Sequence, residues 1–98
     1  MATAYQKGRS FENYVAKKLE GKYYVVRSAG SKGAFDLVAI SNGSGYGIQC
    51  KKNNYIAADE LRAMLSAARK YGIKPILATK LNNRVMFIDL AENKPVEL

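Results

Sequence analysis

The tightest constraint on the fold is an ordering of periodicities. A strand-like run at 46–53 (YGIQCKKN) is followed by a helical stripe at 57–71 and then by a second strand-like run at 75–81 (PILATKL). The stripe sets Leu61, Met64, Leu65, Ala68 and Tyr71 on one side at three- and four-residue steps. Asp59 and Glu60 stand in its first turn and Arg69 and Lys70 in its last, the charge order that a helix dipole favours, and Gly72 terminates it. Two strands with a helix between them can pair in parallel, the crossover being right-handed by default. A parallel β-α-β unit is therefore open to these three segments.

The rest of the chain builds outward from that unit. Phe11, Tyr14, Val15 and Leu19 give 5–20 a helical period, with Gly21 as the expected stop and Thr3 or Ser10 as the expected cap. Residues 23–27 (YYVVR) are aromatic and β-branched, and lead into a Gly/Ser/Lys-rich loop, SAGSKGAF. The run 36–41 (DLVAIS) is almost wholly apolar after its first residue, so it is expected to be a strand buried on both faces. The turn residues NGSG at 42–45 fold it into a hairpin with 46–53. A further strand at 84–90 (RVMFIDL) follows an Asn-Asn turn, and Pro75 is acceptable as a first strand residue. With no internal repeat or linker, 1–98 is expected to be one α/β domain with a central mixed sheet flanked by helices, in the order αβββαββ.

Composition narrows the chemistry. Sixteen Lys and Arg face eight Asp and Glu, a net charge of +8, which points to a phosphate-rich partner. Histidine is absent, which removes Ser-His-Asp and Cys-His catalysis, histidine general bases and every His-containing zinc site. The single cysteine, Cys50, can form neither an intramolecular disulfide nor a thiolate cluster. The N-terminal sequence MATAYQKGRS lacks an apolar signal core and no apolar run approaches membrane-spanning length. No membrane partner and a reducing, cytoplasmic setting are expected.

Within that inventory one constellation stands out. Strand alternation puts Ile48, Cys50 and Lys52 on one face of the third strand and Gly47, Gln49 and Lys51 on the other. The hairpin returns this strand past the start of its partner, so Asp36, Gln49 and Lys51 are expected together at one end of the sheet, with Lys51 as a candidate counter-charge for Asp36. On the first helix Glu12 shares a side with Gly8, Val15 and Leu19. An inward carboxylate on a helix and another at a strand mouth are the minimum for Mg²⁺, which takes oxygen ligands and keeps several waters. Such an ion activates water and offsets phosphoryl charge without a histidine. Plainer roles stay open for each residue. Asp36 also suits a strand-start cap, Glu12 an ion-paired helix margin, the Lys51-Lys52 pair a solvated strand end, and Cys50 a small core hydrophobe.

The segments GRSFENYVAKKLE, YYVVRSAGSKGAFDLVA and IQCKKN together resemble the archaeal-type Holliday-junction resolvases, small members of the PD-(D/E)XK nuclease superfamily. The likeness continues through ADELRAMLSAARKYGIKPILATKL, so it covers nearly the whole chain. The resemblance implies a Mg²⁺-dependent endonuclease, with Mn²⁺ as a substitute, that nicks branched double-stranded DNA in pairs as a homodimer. By motif position it implies Asp36 as the metal-binding aspartate, Lys51 as the catalytic lysine and Glu12 as the helix acid. Arg27, Ser31 and Lys32 then belong to a basic loop facing the DNA backbone, joined by Arg9 and Lys52. Recognition through junction shape and phosphates agrees with the separately read charge.

Two positions depart from the family pattern. Gln49 stands where the E-X-K half of the motif carries glutamate, leaving Glu12, Asp36, the Gln49 amide and the Cys50 backbone carbonyl as candidate metal ligands. Asn13 follows Glu12 where an arginine is common. Other readings are a same-fold nuclease acting on flaps, nicks or linear duplex, and a junction-binding module with weakened catalysis, for which Gln49 is the motivating residue. A basic RNA-associated protein explains the charge but leaves Glu12 and Asp36 without a role.

Overall fold

The computed structural model describes residues 4–28 and 34–98, with side chains described from Ser10 onward. These residues form helix α1 (Ala4–Glu20), strands β1 (Tyr24–Arg27), β2 (Leu37–Ser41) and β3 (Ser44–Cys50), helix α2 (Ala58–Tyr71), and strands β4 (Lys74–Leu81), β5 (Arg84–Asp89) and β6 (Lys94–Val96). All six strands join one sheet in chain order. Every pairing is antiparallel except β3 with β4, which run parallel with Ile48 opposite Ile76 and Cys50 opposite Ala78. The β-α-β unit that the periodicity allows is formed, and it lies in the middle of the sheet.

Two tight turns set the flanking registers. Asn42 and Gly43 both have positive φ, at 50° and 78°, and join Ser41 directly to Ser44. Asn82 and Asn83, at 51° and 62°, do the same between Leu81 and Arg84. Positive φ at both central residues matches the twist of a two-residue hairpin, which is why Asn and Gly occupy these positions.

The core lies mainly between α1 and the sheet. Phe11, Val15, Ala16 and Leu19 pack on Leu37, Ala39, Ile48, Ile76, Ala78 and Phe87. The opposite face of β4 is covered by α2, whose Met64 and Ala68 are buried, and Leu77 and Thr79 alternate toward that side. Thus β4 is covered on both faces along 75–79, as its nearly continuous apolar run suggests.

Several sequence expectations change. Strand β2 is not buried on both faces: Leu37 and Ala39 are fully buried, but Ile40 is 42% exposed. Because α2 packs chiefly on β4, no helix among the described residues covers the far side of β1 and β2, and Tyr24 at 72% and Val26 at 42% share that outward face through the register Tyr24↔Ile40 and Val26↔Val38. A sixth strand, Lys94–Val96, follows the five read from the sequence. Its entry turn is held by the buried Asp89, whose Oδ1 accepts the backbone N–H groups of Ala91 and Glu92 at 2.9 and 3.1 Å. Ser10 lies inside α1 and does not cap it, while Thr3 falls outside the described residues. Gly21 ends α1 without the left-handed backbone seen at Gly72, since Lys22 and Tyr23 both donate their N–H to the Leu19 carbonyl.

Candidate active site

The hairpin delivers Asp36 to the end of β3 by backbone bonds made on both sides. Its N–H donates to the Ile48 carbonyl at 2.8 Å, and its carbonyl accepts the Ser28 N–H at 3.0 Å. Continuing the Leu37↔Ile48 register places Asp36 opposite Gln49, on the face that Val38 and Gly47 share. The preceding residue secures that position. The Phe35 ring lies so close over Gly47 that a Cβ there would come within 2.5 Å of it.

The Asp36 side chain is half-buried, and its Oδ2 accepts the Cys50 N–H at 2.9 Å. Burial raises its pKa above the ordinary carboxylate value, the Cys50 hydrogen bond and the Lys51 charge pull it back down, and Glu60 adds to the rise. Gln49 is 8% exposed and donates from Nε2 to the Ala34 carbonyl at 3.1 Å. That bond fixes the amide so that its oxygen is the atom turned away from the Ala34 loop.

Lys51 follows the last residue of β3, and its backbone N–H remains tied to the Ala78 carbonyl of β4 at 2.9 Å. Its ammonium does not pair directly with Asp36, as the sequence suggested. Lys51 Nζ meets Glu60 Oε2 at 2.9 Å, while Glu60 Oε1 accepts the Ala57 N–H at 3.4 Å. Glu60 therefore does two things at the start of α2: one oxygen closes the first turn and the other holds the lysine. Lys51 reaches Asp36 through its field and not by contact.

Glu12 is half-buried on α1 and approaches Cys50 from the α1 side. The Cys50 thiol is pushed far above its ordinary range, first by burial and then by the charges of Asp36 and Glu12, with Arg27 opposing. A thiol so disfavoured as thiolate is a packing group, as its contact with the α1 core indicates. Among the described residues, no three His, Cys, Asp or Glu side chains stand close enough together to hold a metal ion on their own.

Of the candidate DNA contacts, Arg27 is exposed and its Nη2 donates to Asn13 Oδ1, which joins the end of β1 to the turn of α1 carrying Glu12. Lys52 is exposed and lines a cleft of about 400 Å³ with Ser10, Phe11, Tyr14, Lys80 and Asn83. Ser31, Lys32 and the Arg9 side chain lie outside what the structure describes. Three residues of this region were not singled out by the sequence: Glu60, Lys80 and Asn83. Glu60 was legible only as a helix-start charge, and Lys80 and Asn83 only as the tip of a hairpin.

The family model of the archaeal Holliday junction resolvases matches residues 3–95 of the chain. The chain belongs to the archaeal Holliday junction resolvase family. Among curated members of that family, the crossover junction endodeoxyribonuclease Hjc of Methanocaldococcus jannaschii is 37% identical over 94 residues, spanning 91% of this chain and 70% of the relative. The solved structure of Hjc from Archaeoglobus fulgidus, a Holliday junction resolvase from an archaeal hyperthermophile, superposes with a TM-score of 0.76 at 25% identity, covering 93% of this chain and 79% of that one. In this resolvase-family chain, Asp36 and Lys51 stand where the start of β2, the end of β3 and the first turn of α2 meet.

Proposed function

We propose that this chain is a divalent-cation-dependent endonuclease that resolves four-way DNA junctions by paired nicks, working as a homodimer inside the cell. The observation that carries the reading is the placement of the Asp36 carboxylate and the Lys51 ammonium together at the end of β3, one fixed by the Cys50 N–H and the other by Glu60. Family membership supports the junction as substrate. Two symmetric nicks require two sites at fixed spacing, which a two-fold dimer supplies.

The donor set fits Mg²⁺ or Mn²⁺. The side-chain donors expected there, from Glu12, Asp36 and Gln49, are all oxygens, and Mg²⁺ is commonly held by only one or two carboxylates with several retained waters. When bound, such an ion supplies an activated water and offsets charge on the phosphoryl oxygens. The chain's own groups do the remaining work. Asp36 would hold the ion through the carboxylate that Cys50 orients. Lys51 would place a positive charge against the phosphate whose ester bond breaks, stabilising its added negative charge. Arg27, Lys52 and Lys80 would bind the flanking phosphates and fix the DNA, the role that phosphate contacts usually serve.

Replacing Asp36 with Asn keeps the acceptor for the Cys50 N–H but removes the charge. In Mg²⁺ the Asp36→Asn variant should yield no nicked product from a four-way junction while still binding it; cleavage at the wild-type rate would overturn the assignment. Offering junction, flap and linear duplex together tests the substrate, since a resolvase cuts symmetrically across the branch. Gln49, with its amide committed to Ala34, favours one further reading: a junction-binding module without cleavage. A wild-type chain that binds the junction but gives no product in Mg²⁺ or Mn²⁺ would establish that reading instead.

A further inference from the structure

We propose that Glu60, on the first turn of α2, is a further carboxylate of this site beside Asp36 and Glu12, and carries the negative charge that Gln49 withholds from it. The proposal rests on the metal-dependent nuclease reading and adds a residue to it.

Two observations converge. The strand position expected to carry a carboxylate is an amide, and that amide is engaged with the Ala34 carbonyl. The Glu60 carboxylate stands 2.9 Å from the Lys51 ammonium, so it already touches one of the two groups that define the site. With glutamate at position 49, the candidate ligands would carry three negative charges, at 12, 36 and 49, beside one positive, Lys51. With Gln49 they carry two, at 12 and 36, and Glu60 restores the third.

Glu60 is also suitably mounted. One oxygen accepts the Ala57 N–H, which limits the rotamers open to the side chain, while the other faces Lys51. The residue is only half-buried, so its carboxylate reaches ions and DNA from solvent. Its carboxylate oxygens are the donor type that Mg²⁺ takes from protein.

The test uses the full chain in four forms: wild type, Glu60→Gln, Gln49→Glu, and both substitutions together. Mn²⁺ binding to the protein without DNA is followed by the loss of the free-ion electron paramagnetic resonance signal, and nicking of a four-way junction is titrated with Mg²⁺ in parallel. Glutamine is a regular partner for a helix-start N–H, so Glu60→Gln leaves the start of α2 capped. Glu60→Gln is expected to weaken Mn²⁺ binding by about tenfold or more, the order seen when a group that supports a metal site is removed, and to raise the Mg²⁺ needed for nicking. Adding Gln49→Glu in that background should restore both. Unchanged Mn²⁺ affinity in Glu60→Gln overturns the proposal. So does a loss that Gln49→Glu fails to restore, since Glu60 would then be acting only by orienting Lys51. Failure of the underlying reading looks different: a wild-type chain that binds no Mn²⁺ and gives no product removes the nuclease assignment and this inference with it.

Discussion

Asp36 shows how a single residue sets stability against function. Its raised pKa means that the folded chain favours the protonated acid more than the unfolded chain does. The fold therefore loses stability as pH rises from the ordinary carboxylate value through the raised folded value, and the whole penalty is present at neutral pH. Removing the charge should relieve it. Asp36→Asn is expected to melt at a higher temperature than wild type at pH 7, with the difference shrinking at pH 3; an equal or lower melting temperature at pH 7 contradicts this. Strand alternation and the NGSG turn signal at 42–45 were enough to bring Asp36, Gln49 and Lys51 together from sequence, although the turn itself takes only Asn42 and Gly43. The partner of Lys51 was not legible, because a helix-start carboxylate meeting a strand-end ammonium depends on where α2 lands, and the periodicity of α2 reports only its own apolar side.

At the scale of elements, the site depends on how β3 accepts its neighbours. Gly47 leaves room for the Phe35 ring, and that contact holds the segment presenting Asp36. Alanine there would force the ring aside, an overpacking that costs about 1–3 kcal/mol. Gly47→Ala should lower the urea midpoint accordingly and reduce nicking more than the lost folded fraction explains, because Asp36 moves with Phe35. Hairpin turns and the parallel pairing were readable because Asn-Gly, Asn-Asn and a helix between two strands each leave a local signature. The open side of β2 was not, since apolar residues on both faces of a strand do not reveal that only one face has a helix above it. The short β6 was missed for a related reason: it is placed by the Asp89 turn and not by any run of strand formers.

Across the whole molecule, a charge of +8 becomes directional once Lys52 and Lys80 face one cleft beside α1. Junction affinity should fall roughly 10³-fold between 50 and 200 mM salt if about six phosphates are neutralised. Replacing Lys52 and Lys80 together with Gln should flatten the slope of log affinity against log salt by about 2; an unchanged slope would place the DNA elsewhere. No helix among the described residues is long and apolar enough to cross a membrane. The bond from the Lys51 N–H to the Ala78 carbonyl has a further consequence at this scale. It fastens the backbone of the proposed catalytic lysine to the strand sandwiched between both helices, so that backbone cannot be displaced without prying β4 from its covers. Positional precision is thus inherited from the least yielding part of the sheet, and adaptability to a distorted branch point is left to the side-chain tips alone.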